Sequence, residues 1–189
     1  MRQGFRSRSV DVFLITASYF IFAGCASGAR VQEMTIESLS IVPNEKLRQS
    51  IAIESVRGGT ETFPLLESNI SNGNFRKALS RSLQNSGFET IRGAQPQYLL
   101  SVQLWVSDPQ LSNDINVRTY ASYVLVERSS NRVVMNEKVA AAHTTSTDES
   151  FYAPARRRLA NEGSAKRNIE KFLIALDVLN PDKAGAPSR

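Results

Sequence analysis

The first 25 residues limit most strongly what this chain can fold into, because an apolar run ends there at a cysteine. Residues 1–9 contain three arginines and no acidic residue, and residues 12–24 are almost all apolar or small. A helix of that length is about 20 Å long, too short for a hydrocarbon core of about 30 Å, but typical of a cleavable export signal. The run has no polar face, and it lies between arginine-rich sequence and a Gly-Cys pair. We therefore interpret residues 1–24 as a signal peptide.

The last four residues of this segment, Phe22-Ala23-Gly24-Cys25, resemble the lipobox of bacterial lipoproteins. The resemblance implies that Phe22, Ala23 and Gly24 are recognised by the lipoprotein signal peptidase. It further implies that the Cys25 thiol carries a diacylglycerol and that its amine is acylated after cleavage. Phe22 departs from the usual leucine, so slower processing is expected. Ala26 follows the cysteine where an inner-membrane protein would have aspartate, which implies a periplasm-facing domain anchored in the outer membrane.

The composition of the remaining chain is typical of one globular domain. Cys25 is the single cysteine, so no internal disulfide can form and the domain must be held by a packed core. The net charge is +5, but the leader carries +2 of it and the rest has 20 basic against 17 acidic groups. This small, dispersed excess argues against nucleic-acid binding. We expect a lipidated tether at residues 25–34, a domain at 35–180 and a flexible tail at 181–189.

Hydrophobic periodicity predicts an α+β fold, a two-layer sandwich of a mostly antiparallel sheet and two helices. Alternating patterns predict strands at residues 35–42, 50–56, 98–106, 117–127 and 133–142, and helical patterns predict helices at 74–86 and 155–179. The element order is then β-β-α-β-β-β-α. Gly87 is expected to end the first helix in a left-handed conformation, with Phe88 packed on Leu83. Gly163 predicts a bend or break in the last helix.

No catalytic constellation stands out in the sequence. His143 is the lone histidine, and no HExxH motif or paired-cysteine spacing accompanies it. We interpret it as an incidental residue at a strand end. Asp148 and Glu149 are adjacent, so on regular structure they would point in different directions rather than act as an acid/base pair. We therefore expect no enzymatic activity, no metal site and no cofactor other than the lipid on Cys25.

Arg156, Arg157 and Arg158 form the most concentrated cluster of charge in the chain. Successive helical residues are separated by 100°, so we expect most of these side chains to be solvated at the start of the last helix. The alternative is contact with anionic lipid head groups, because the predicted tether is short.

Trp105 is the lone tryptophan, and it lies on the less apolar face of its predicted strand. We expect it to be in the core or half covered. If it is instead exposed together with another aromatic residue, it would mark a surface for a partner. The candidates for that second residue are Tyr98, Tyr120 and Tyr123.

The mature chain resembles small envelope lipoproteins of the LptE-like type. The resemblance rests on the helix that ends at Gly87-Phe88, the strand at residues 98–106, the hairpin at 117–142 and the final apolar stripe at 169–176. It is also similar to auxiliary lipoproteins of ABC-type lipid transport. Both resemblances imply a non-enzymatic adaptor with an envelope protein partner. The alternative is a lipid- or cell-wall-binding module with a groove between helices and sheet.

Overall fold

The computed structural model describes residues 27–63, 68–107 and 113–183, which form three helices and one four-stranded sheet. The elements in chain order are α1 (Val31–Met34), β1 (Ile51–Arg57), α2 (Asn72–Asn85), β2 (Tyr98–Val106), β3 (Ile115–Glu127), β4 (Arg132–Thr145) and α3 (Ala153–Asp177). The predicted signal peptide and Phe22, Ala23, Gly24 and Cys25 lie outside the described residues.

The sheet has the strand order β1-β2-β3-β4. β1 runs parallel to β2, since the chain crosses over through α2 between them, and the other two pairs are antiparallel. β3 and β4 form a long hairpin whose turn contains Asn131 at φ 57°. The predicted α+β class and mostly antiparallel sheet are therefore confirmed.

α2 and α3 pack side by side on one face of the sheet and bury its core. The side chains that meet there are fully buried; they include Phe75, Leu79, Leu83, Leu100, Tyr123, Leu125, Ile169, Phe172 and Leu176. The rings of Tyr123 and Phe172 stack with centroids 3.9 Å apart and an interplanar angle of 7°. Burial raises the pKa of Tyr123, and its hydroxyl donates a 2.7 Å hydrogen bond to Asn168 Oδ1. The single polar group of this pair is thus satisfied inside the core.

The C-terminal end of α2 matches the sequence prediction, whereas the helix begins at Asn72, two residues before the predicted start. Ser71 Oγ accepts a hydrogen bond from the Asn74 amide at 3.2 Å and caps the first turn. At the other end Gly87 adopts φ +74°, and the Phe88 amide donates to the Leu83 carbonyl at 2.8 Å. This is a Schellman ending, and both Phe88 and Leu83 are fully buried.

Of the bend or break predicted at Gly163, the break is wrong, because α3 runs without interruption from Ala153 to Asp177. The glycine instead allows the His143 ring to approach the backbone of α3 closely. A Cβ at position 163 would lie 2.2 Å from His143 Cδ2, so the imidazole of β4 packs directly against the helix backbone. His143 itself lies within β4 rather than at its end.

Residues 35–42 form no strand in the sheet, which corrects the first predicted strand. They pass over α2 without regular secondary structure, and Ile36 is buried there. The Ile36 amide donates to Ser82 Oγ at 2.9 Å, and Asn85 Nδ2 donates to the Ile36 carbonyl at 3.0 Å. The segment therefore buries Ile36 against α2, and polar side chains of α2 bind backbone groups that a sheet neighbour would otherwise take.

Candidate functional site

The face of the sheet that points away from α2 and α3, here called the open sheet face, carries the candidate site. The side chains of β2, β3 and β4 alternate between the buried core and this face. The outward residues are Leu99, Ser101, Gln103 and Trp105 on β2, Asn116, Arg118, Tyr120, Ser122, Val124 and Val126 on β3, and Asn136, Lys138, Ala140, Ala142 and Thr144 on β4. Its character is mixed polar and apolar, as is usual for a protein-binding surface.

An aromatic pair lies on this face near the end of β2. Trp105 and Tyr120 are direct cross-strand neighbours, and their rings stack with centroids 5.2 Å apart at 29°. Trp105 is 67% exposed, so the expectation that it is in the core or half covered is wrong. The two other tyrosines considered, Tyr98 and Tyr123, are buried on the opposite face. The exposed tryptophan together with Tyr120 is thus the arrangement expected of a partner surface.

A shallow hollow lies beside the aromatic pair. Its volume is about 310 Å³, and Gln103, Ser122, Lys138 and Ala140 line it together with the two rings. Small-molecule pockets span about 300–1,000 Å³, so this hollow is at their lower limit. It fits a protruding side chain of a protein better than an enclosed ligand.

Both outer strands of the sheet have their free edges blocked by cations from the helices. On β1, Arg76 donates to the carbonyls of Ile53 and Glu54 at 2.5 and 3.1 Å. On β4, Arg167 donates to the Ala142 carbonyl and Lys171 to the Ala140 carbonyl, both at 2.8 Å. These contacts oppose the addition of a further strand. A protein partner would therefore meet the open sheet face rather than an edge.

The arginine cluster does not form the solvated surface that the sequence predicts. Arg156 is only 8% exposed, and its guanidinium donates to the carbonyls of Ser150 and Phe151 at 2.7 and 2.8 Å. Arg157 donates to Asn69 Oδ1 at 3.3 Å, and Arg158 donates to Ser27 Oγ at 2.7 Å. The three side chains fasten neighbouring segments to the first turns of α3. The prediction of solvation is wrong for Arg156.

The segment after Cys25 is docked from Ser27 onward, and this shortens the predicted tether of residues 25–34. Arg30 contacts Glu162 of α3 through its backbone amide at 2.9 Å and its Nε at 3.0 Å. Glu162 is 3% exposed, and its hydrogen bond raises the pKa of Arg30. Ser27 accepts a hydrogen bond from Ser68 Oγ at 2.7 Å, and Ala29 is fully buried. The folded domain thus begins within two residues of the predicted lipid site.

We predict that Glu162→Ala lowers the free energy of unfolding by about 1–3 kcal/mol, because it leaves the Arg30 amide and guanidinium without their shared acceptor. The half-exposed guanidinium can turn to water, which keeps the loss below that of a fully buried pair. Glu170→Ala, which removes the same charge from a less buried position of α3, is the control. Urea unfolding and amide exchange at Ala29 measure the effect. Equal stability and equal Ala29 protection in the two variants would contradict it.

The other candidates remain separate from one another in the structure. Partial burial beside Gly163 lowers the pKa of His143, with a smaller contribution from Arg167. Glu149 caps a turn by accepting from the Ser146 amide at 2.8 Å. Within residues 27–63, 68–107 and 113–183, no three potential metal ligands come together. No helix in those ranges is long and apolar enough to cross a membrane.

Sequence reasoning left Tyr120 as one of several candidates and missed Glu162. Tyr120 was one of three possible neighbours of Trp105, and only the register of β2 against β3 selects it. Glu162 carried no signal, because its partner Arg30 lies 132 residues away.

Comparisons with known proteins extend the description of the fold. No family model matches the sequence, and no curated protein matches it. Protein CT253 from Chlamydia trachomatis superposes with a TM-score of 0.51 at 11% identity, covering 69% of this chain and 96% of that one. A Xanthomonas campestris protein of the DUF330 family gives 0.50 at 14% identity, with 72% and 90% covered. A minor lipoprotein from Acinetobacter baumannii gives 0.49 at 12% identity, with 69% and 91% covered. At these identities the likeness concerns the fold alone.

Proposed function

We propose that this protein is a periplasmic lipoprotein that acts as a non-enzymatic adaptor or accessory factor in cell-envelope assembly or transport. The lipobox resemblance at Phe22-Ala23-Gly24-Cys25 supports a covalent diacylglycerol and N-acyl anchor. Multiple acyl chains hold a protein on a membrane essentially permanently, whereas one chain does so only marginally. Ala26 favours the outer membrane over the inner membrane, with the domain facing the periplasm. Its partners are then the membrane and an envelope protein, and not a nucleic acid.

The stacked pair of exposed Trp105 and half-buried Tyr120 is the observation that carries the adaptor role. Large exposed aromatic side chains cost little entropy on binding and are enriched at the centres of protein interfaces. Here they project from a rigid sheet, beside a hollow that can receive a partner's side chain. The blocked sheet edges direct the partner to the same face.

The alternative of a lipid- or cell-wall-binding module requires a groove between the helices and the sheet. The side chains that line this layer, such as Phe75 of α2 and Phe172 of α3, are fully buried against the strands. The described packing therefore favours the adaptor over the groove-containing module.

Site-specific photo-crosslinking in the native envelope tests the adaptor role. A benzophenone amino acid at Gln103, which lies exposed next to Trp105, should yield a discrete species of higher mass. The same amino acid at Lys77, exposed on α2 at the opposite side of the sheet, should not. Adding Trp105→Ala to the Gln103 probe should strongly reduce the crosslinked fraction. Equal crosslinking from both positions, insensitive to Trp105→Ala, would contradict the proposal.

A further inference from the structure

The domain emerges from its lipid anchor at one defined end. Cys25 and Ser27 are two residues apart, so their Cα atoms are separated by at most about 7 Å. Ser27 is fixed to α3 through Arg158 and to the following loop through Ser68. Arg158 lies in the second turn of α3, whose axis is about 37 Å long. The end of the molecule that contains the start of α3, here called the anchor end, therefore lies nearest to the acyl chains.

Apart from Trp105 on the open sheet face, the exposed aromatic residues lie at the anchor end, and the large exposed aliphatic residues lie away from it. Among the described residues, the exposed aromatic ones are Phe63, Trp105, Phe151 and Tyr152, and the large exposed aliphatic ones are Val42, Ile91, Val133, Ile174 and Val178. Phe151 and Tyr152 directly precede α3, and Phe63 follows Thr62, which contacts Gly28. The aliphatic residues lie on the second half of α3 or directly after it, near the β3–β4 turn and beside the Schellman ending of α2. Among the residues that the structure describes, the anchor end thus has an aromatic rim that the opposite end lacks.

From this placement we infer that Phe63, Phe151 and Tyr152 insert into the interfacial region of the bilayer that holds the acyl chains. Aromatic side chains are enriched at the membrane–water interface, where the ring contacts the lipid chains and its polar edge remains near the head groups and water. Phe151 is 92% exposed just before the start of α3, so its side chain contributes little to the hydrophobic core. The partner of this rim is therefore the lipid surface. The contact would fix the orientation of the open sheet face relative to the membrane. This inference rests on the proposed lipid anchor.

The charges at the anchor end indicate that the contact does not depend on anionic lipid. Arg156 donates to the carbonyls of Ser150 and Phe151, and Arg158 is engaged with Ser27 and Glu162. Acidic residues also accompany the rings, since Glu61 lies two positions before Phe63 and Glu149 two before Phe151. A zwitterionic surface is therefore sufficient, and a strong requirement for anionic head groups is not expected.

Depth-dependent fluorescence quenching tests this contact in the lipidated full-length mature protein. Phe151→Trp is introduced with Trp105→Phe, so that a single indole reports its surroundings, and the protein is reconstituted into phosphatidylcholine vesicles with or without brominated acyl chains. Phe151→Trp should lose most of its emission in brominated vesicles and shift to the blue. Ile174→Trp is the matched control, being half exposed about 30 Å farther along α3, and should keep its emission.

The outcomes separate this inference from the anchor on which it rests. Equal emission of Phe151→Trp in the two kinds of vesicle, with Cys25 shown by intact mass to be acylated, would overturn the lipid contact alone. Quenching that appears only after phosphatidylglycerol is added would also overturn it, because charge rather than the aromatic rim would then bring the end to the bilayer. An unmodified Cys25 in the intact mass would overturn the anchor and the contact together.

Discussion

Phe172→Ala is expected to lower the free energy of unfolding by about 3–5 kcal/mol. Phe172 is fully buried in α3 and stacks on Tyr123 with ring centroids 3.9 Å apart. Truncation removes buried apolar area, leaves a cavity between helix and sheet, and ends an aromatic contact that adds about 0.5–1.5 kcal/mol of its own. In a domain of this size the loss corresponds to a decrease in melting temperature of roughly 6–20 °C.

Ile174→Ala is the matched control, because it shortens an apolar side chain of the same helix that is half exposed. We expect this change to cost less than about 1 kcal/mol. Thermal and urea unfolding of unlipidated residues 27–189 measures both variants beside the parent. A Phe172→Ala variant that unfolds like Ile174→Ala would show that α3 does not hold the sheet as described.

Cys25→Ala is expected to stop maturation completely. The resemblance to lipoproteins implies that the signal peptidase acts only after the thiol has received its diacylglycerol, and the chain has no second cysteine. The variant should therefore persist as a precursor that keeps residues 1–24 and migrates more slowly in denaturing gels. Phe22→Leu, which restores the usual lipobox residue, is the control and should mature at least as fast as the parent. Normal cleavage of Cys25→Ala would contradict the lipobox interpretation.

Local sequence patterns predicted the elements whose signals lie within a few residues. The ending of α2 needed only Gly87 and its apolar neighbours, and the alternating runs in β2, β3 and β4 each contained their own two-residue period. The same rules failed for residues 35–42, because an alternating pattern describes an extended segment and does not say what lies beside it. Arg76 occupies the β1 edge that this segment would have needed.

Long-range partners explain the remaining differences. Gly163 looked like a helix breaker because its partner, the His143 ring, lies 20 residues earlier on another element. The arginines at the start of α3 looked solvated because their acceptors belong to Ser27, Asn69 and the turn before the helix. Trp105 was ambiguous until the register of β2 and β3 placed Tyr120 beside it. The sequence thus predicts which side chains are available for a site, and only the three-dimensional packing decides which of them remain exposed.

Metabolic labelling with a clickable fatty acid tests the anchor at Cys25, on which the location of the domain and the orientation of its open sheet face both depend. Cells producing the parent protein or Cys25→Ala are labelled, their inner and outer membranes are separated, and the acylated protein is detected in each fraction. We expect a labelled parent protein in the outer membrane and no label on Cys25→Ala. Equal labelling of the two proteins, or an unlabelled parent protein in the soluble fraction, would contradict it.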